Sequence, residues 1–121
     1  MKSIPIPVDK DNFYRRFLEV IKSIPPINKL RPKELAVLAE IMKLNSELRY
    51  LDINNRYIII NSTENRRKIR ETLVMPEASF NNNISILKGH KILTKDNRLN
   101  PFFENIAYED GFKLGFIFKT K

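Results

Sequence analysis

The chain has no cysteine and a single histidine, His90, in 121 residues. Disulfides, thiolate metal sites and cysteine nucleophiles are therefore excluded, as is a metal site built from several histidines of one chain. The longest strongly apolar run, "YIII" at Tyr57 to Ile60, is far short of the ~20 residues a membrane-spanning helix needs. The opening "MKSIPIPVDKDN" lacks the apolar core of a signal peptide, so no membrane partner is expected. There is no glycine-rich phosphate loop, no internal repeat and no Ser/His/Asp arrangement that one histidine could serve. Glu109-Asp110 precedes Gly111 in a turn-like setting, where adjacent carboxylates rarely form a catalytic pair. The expectation is a protein that is not an enzyme and carries no cofactor or metal.

Basic residues are what the chain has in excess. Lysine and arginine number 22 against 14 acidic residues, giving a net charge of +8 and a pI near 9.8, a balance that favours polyanionic partners such as nucleic acid. Residues 1–61 and 62–100 each carry a net +4, and residues 101–121 are neutral. The length suits one domain with a modest core.

Patterning divides the chain into segments. "SIPIPV" alternates prolines with apolar residues and reads as an extended arm. "DNFYRRFLEVIKSI" reads as a helix capped by Asp9 or Asp11, with Phe13, Phe17, Val20 and Ile24 in one stripe and Tyr14, Leu18 and Ile21 beside it. So wide a face packs into the core or supplies a dimer contact. After "PPINK", Pro32 suits the first turn of a helix through "RPKELAVLAEIMKL", whose Leu35, Leu38, Ala39 and Met42 share a face. The β-favouring residues Tyr57 to Ile60 suggest a short strand near Ile58.

"STENRRKIRETL", capped by Ser62 or Thr63, reads as a short basic helix with Ile69 and Leu73 inward. Val74, Met75 and Pro76 separate it from "EASFNNNISILKG", where Phe80, Ile84 and Leu87 form the inward face, so the pair reads as a helix-turn-helix. "HKILTKDNRLNPFF" has two β-compatible runs around Asp96-Asn97, the pattern of a hairpin. In the tail, Phe112, Leu114, Phe116 and Phe118 alternate as in a half-buried strand of the sheet or one exchanged with a neighbour.

The sequence "STENRRKIRETL", then "MPEASFNNNISILKGHKIL", then "NRLNP" resembles small winged helix-turn-helix proteins of bacteriophages and related mobile elements, over roughly residues 30–101. Three positions depart from that pattern. Val74 replaces the usual turn glycine, Pro76 the small polar cap, and Lys91 the glycine before the wing strand, with Gly89 two residues earlier. The resemblance implies an α+β fold: an arm and extra helix in residues 1–29, a winged helix-turn-helix core in 30–101, and a C-terminal strand in 102–121. The lack of a signal-peptide core and of a membrane-length apolar run leads to the expectation of residence in the host cytoplasm or the virion.

If the family's way of binding double-stranded DNA carries over, the third helix enters the major groove. Helical geometry then turns Ala78, Ser79, Asn81, Asn82, Ser85 and Ile86 toward the bases, where asparagine can pair with adenine and isoleucine can touch a thymine methyl. Arg67, Lys68 and Arg70 would hold phosphates from the second helix, and Lys95 and Arg98 from the wing. Such a protein is expected to be a homo-oligomer, a dimer or larger, acting in transcription or replication control.

The same residues have plainer readings. Asparagine, isoleucine and lysine are plentiful throughout, and an Asn/Ser face also suits solvent or a wet protein contact. Arg66, Arg67, Lys68 and Arg70 form a solvated face if they pair with Glu64 and Glu71, and His90 suits a surface or capping role. A structural or assembly component of a phage connector, neck, tail or packaging apparatus, bound to other phage proteins, is the second functional expectation. It draws on the arm, the wide face of the first helix and the alternating tail.

Overall fold

A computed structural model describes Asp9 and residues 11–106. Six α-helices follow in order: α1 (Phe13–Val20), α2 (Pro32–Glu47), α3 (Ile53–Ile60), α4 (Thr63–Thr72), α5 (Glu77–Gly89) and α6 (Pro101–Glu104), with a 3-10 turn at Ile27–Lys29 before α2. Among the described residues there is no strand, and the only extended pairing is one antiparallel bridge between Leu93 and Leu99. The described part of the chain is thus all helical, which overturns the expected α+β winged fold. The arm at residues 1–8 and the alternating tail from 107 lie outside the described residues.

α2 is the axis of the structure. Pro32 opens it with a φ already suited to helix, and the Arg31 N–H donates to Glu34 Oε1 at 3.2 Å. Val37, Leu38 and Met42 are wholly buried because α1, α3, α5 and α6 all pack around this helix. A helix apolar on so much of its circumference belongs inside a domain.

α1 lies on one side of it. The Asp9 and Asn12 side chains each accept the other residue's N–H, fixing the first turn, and Phe13, Tyr14, Phe17, Leu18 and Ile21 face inward. Val20 and Ile24, expected in the stripe, are 43% exposed, so the buried face is rotated towards Tyr14 and Leu18. Packing into the core takes up the face that could have served a dimer. The buried cluster runs without a break from Phe13 to Phe103.

The expected strand near Ile58 is helix α3. Asp52 caps it: Oδ1 accepts the Asn55 N–H and Oδ2 the Asn55 side-chain amide, both at 2.8 Å. Tyr57 and Ile60 are buried while Ile58 is 69% exposed, an i, i+3 pattern that no strand produces. Local β preference yields to the cap and to packing on α2.

The expected wing is also corrected. Its Asp96-Asn97 turn forms, with Asn97 at φ 60°, the Thr94 N–H donating to Arg98 O at 2.7 Å and the Asn97 N–H to Thr94 O at 3.0 Å. A two-stranded ribbon does not. Ile92 and Leu93, adjacent in sequence, are both buried, which breaks the alternation a strand requires. The Leu99 N–H goes to the Tyr57 hydroxyl at 3.2 Å rather than to a strand partner, and the Asn61 side chain donates to Asn97 O. The loop is folded onto α3. Asn100 Oδ1 then accepts the Phe102 N–H and starts α6.

A polar contact fastens three of these elements. Asn45, fully buried on α2, donates through Nδ2 to Glu104 O at 3.0 Å and accepts through Oδ1 from an Arg56 guanidinium nitrogen at 3.1 Å. Arg56 also donates to Leu51 O and lies 3.8 Å from the Glu104 carboxylate, while its buried Nε has no hydrogen-bond partner. Replacing Asn45 by alanine takes the acceptor from a guanidinium nitrogen of the part-buried Arg56 and removes one of the two donors to Glu104 O, which keeps its bond from an Arg49 guanidinium nitrogen at 2.9 Å. Asn45→Ala is expected to lower the unfolding free energy in urea titration by about 2–3 kcal/mol.

Half-buried Glu40 on α2 adds a pH dependence. Burial pushes its carboxyl above the usual carboxylate range, with Lys43 and Arg15 pulling the other way. A carboxyl raised on folding favours the native state below its unfolded pKa, and that gain disappears as pH rises through the folded value. Glu40→Gln should therefore be more stable than the parent at pH 7. Thermal melts across pH should show the difference closing below about pH 4.

Candidate nucleic-acid interface

α4 begins at Ser62, whose hydroxyl accepts the Asn65 N–H at 3.3 Å, and is held inward by Ile69 and half-buried Leu73. Its end has the hydrogen bonds of a Schellman turn: the Val74 N–H donates to Glu71 O at 3.2 Å and the Met75 N–H to Arg70 O at 2.8 Å. The turn requires a left-handed residue, and Val74 supplies it at φ 51° while remaining 89% exposed. Met75 drops into the core and Pro76 precedes the first turn of α5. This closure aims α5.

α5 is seated by Phe80, Asn83, Ile84 and Leu87, all buried. Asn83, which follows the exposed Asn81 and Asn82 in the chain, donates through Nδ2 to Met75 Sδ at 3.2 Å. The i, i+3, i+4, i+7 spacing from Phe80 contained that signal. The Arg66 guanidinium lies 5.9 Å from the centroid of the Phe80 ring and ties α4 to α5, a contact the sequence reading missed.

The expected base-facing residues divide by exposure. Asn81, Asn82, Ser85 and Ala78 are exposed on the outer face of α5, Ser79 is half-buried, and Ile86 is half-buried against the core. Glu77 is an exposed carboxylate in the first turn, where the helix dipole favours it. Small side chains dominate the rest of the face, so the helix backbone can approach a surface closely.

Among the expected phosphate-holding residues, Arg67, Lys68 and half-buried Arg70 lie along α4. Arg67 faces Glu71 at 3.8 Å and Lys68 faces Glu64 at 3.5 Å. Exposed i, i+4 pairs of this kind contribute only ~0.3–0.5 kcal/mol, and a phosphate can displace the carboxylate. Lys95 is exposed on the loop. Arg98 has a structural post: it donates to Asn54 Oδ1 at 2.8 Å and stacks 5.7 Å from the Tyr57 ring centroid, pinning the loop on α3. His90 is the C-cap residue of α5.

No group of His, Cys, Asp and Glu suited to holding a metal occurs among the described residues, and no helix among them is long and apolar enough to cross a membrane. Comparison with protein-family models, with curated proteins and with solved structures gives no match.

A left-handed valine is strained by the contact of its Cβ with the following carbonyl, at a cost of roughly 1–2 kcal/mol. Glycine removes that contact and gives back part of the gain through its freer unfolded chain. Val74→Gly is expected to raise stability by about 0.5–1 kcal/mol in urea titration.

Proposed function

We propose that the protein binds double-stranded DNA through the α4–α5 helix-turn-helix and acts in transcription or replication control, in keeping with its resemblance to proteins of phages and mobile elements. The observation that carries the proposal is the pairing of a rigidly seated α5, with Ala78, Asn81, Asn82 and Ser85 exposed, and a neighbouring α4 that presents Arg67, Lys68 and Arg70. Asparagine can bond both edge groups of adenine in the major groove, and the small neighbours leave it room to reach them. The α4 cations then hold the strand, assisted by Lys95. Arg98 is not part of this set, because its guanidinium is engaged within the fold. The expected role as an assembly component loses the support of the α1 face, which is buried against α2.

Fluorescence-anisotropy titration of AT-rich and random duplexes over a range of salt tests this. Four phosphate contacts give a log–log salt slope at least as steep as about −3. Asn82→Ala should flatten the preference between duplexes, and Arg67→Ala should weaken all of them alike. Weak, sequence-blind binding by a ring or larger assembly would instead favour the structural component.

A further inference from the structure

The turn between α4 and α5 has an open cleft on each side, and both clefts share Val74 and Met75. One, of about 560 Å³, is bounded by Arg67, Arg70, Glu71 and Pro76. The other, of about 300 Å³, lies between the turn and the first turns of α1 and α2, where Arg15 and Lys33 meet Thr72 and Val74. No carboxylate lines this second cleft. Arg15 and Lys33 are both exposed, and neither has an ion-pair partner within 4.0 Å among the described residues, although Arg15 does feel the charge of Glu40.

We infer that the phosphate-contacting surface crosses the turn, and that Arg15 and Lys33 are backbone-phosphate contacts acting together with Arg67 and Arg70. The inference rests on the proposed DNA binding and extends it beyond the helix-turn-helix. Both sequence segments lie outside the basic stretch that patterning singles out; only the packing of α1 and α2 against the α4–α5 turn brings them alongside it. Their charges are also better placed to bind than those of Arg67 and Lys68. Those two must leave Glu71 and Glu64 to meet a phosphate, whereas Arg15 and Lys33 have no carboxylate within 4.0 Å to leave among the described residues. The exposed Thr72 lies on the same cleft and adds a hydroxyl donor for a phosphate oxygen.

The test compares full-length Arg15→Gln/Lys33→Gln and Arg67→Gln/Lys68→Gln proteins with the parent, titrating one duplex at several salt concentrations. Loss of two contacts should make the log–log slope shallower by roughly 1.8 in each double variant. For the Arg15/Lys33 variant, the preference between duplexes and the melting temperature should not change. A charge-preserving Arg15→Lys/Lys33→Arg protein should keep the parental slope. An unchanged slope in Arg15→Gln/Lys33→Gln, beside a reduced one in Arg67→Gln/Lys68→Gln, overturns the inference and leaves the DNA-binding proposal standing. Failure of the charge-preserving protein to keep the slope also overturns it, since shape rather than charge would then be responsible. A parent that does not bind duplex at low salt removes both.

Discussion

The buried amide of Asn45 is the constraint on which the rest of the arrangement depends. It lies on the central helix and engages Arg56 of α3 and the backbone of Glu104 in α6, groups far apart in sequence. A hydrogen bond gains little over the water it replaces, but a buried polar group left unpaired costs the whole desolvation. The network therefore selects one docking of these elements more than it strengthens that docking. Once α3 is placed, Tyr57 and Asn54 are in position to receive Leu99 and Arg98, and the loop after α5 has one site on which to rest.

The two ends of the helix-turn-helix use the same closure. At the end of α5 the Lys91 N–H donates to Lys88 O and the Ile92 N–H to Leu87 O, repeating the bonds made by Val74 and Met75 after α4. Each turn puts a residue other than glycine in the left-handed region and delivers the next side chain, Met75 or Ile92, to the core. Gly89, two residues before Lys91 at the end of the helix, is not the residue with the unusual backbone, and a Cβ there would meet nothing within 4 Å. Burial of the following apolar residue offsets the backbone strain at both ends.

Legibility in the sequence follows the range of the forces involved. α2, α4 and α5 were readable because their apolar spacing, Pro32 and Ser62 are local signals that packing reinforces. α3 was misread because "YIII" favours extended structure, while the opposing evidence, a capping Asp52 and burial of Tyr57 with Ile60, acquires weight only against α2. The wing was misread for a related reason: its turn is local and formed, but the Leu99 N–H is claimed by a hydroxyl 42 residues away. At the candidate interface, the exposure of Asn81, Asn82 and Ser85 was legible from helical phase. The withdrawal of Asn83 could have been read from the same phase. The engagement of Arg98 with Asn54 and Tyr57, and the approach of Arg15 to the turn, could not, since no periodicity encodes a contact between distant elements.

With the loop after α5 folded back on α3, the proposed reader consists of a single helix. Thirteen residues at 1.5 Å each make a rod about 20 Å long, alongside about six base pairs of duplex. A six-letter word in a four-letter alphabet recurs by chance about once in four thousand positions, far too often to mark one address among the ~10⁶ or more competing sites of a genome. One copy of this surface carries too little information to find a unique locus. Selectivity at that level would have to come from composing words, two or more copies of the chain reading adjacent sites in a fixed spacing.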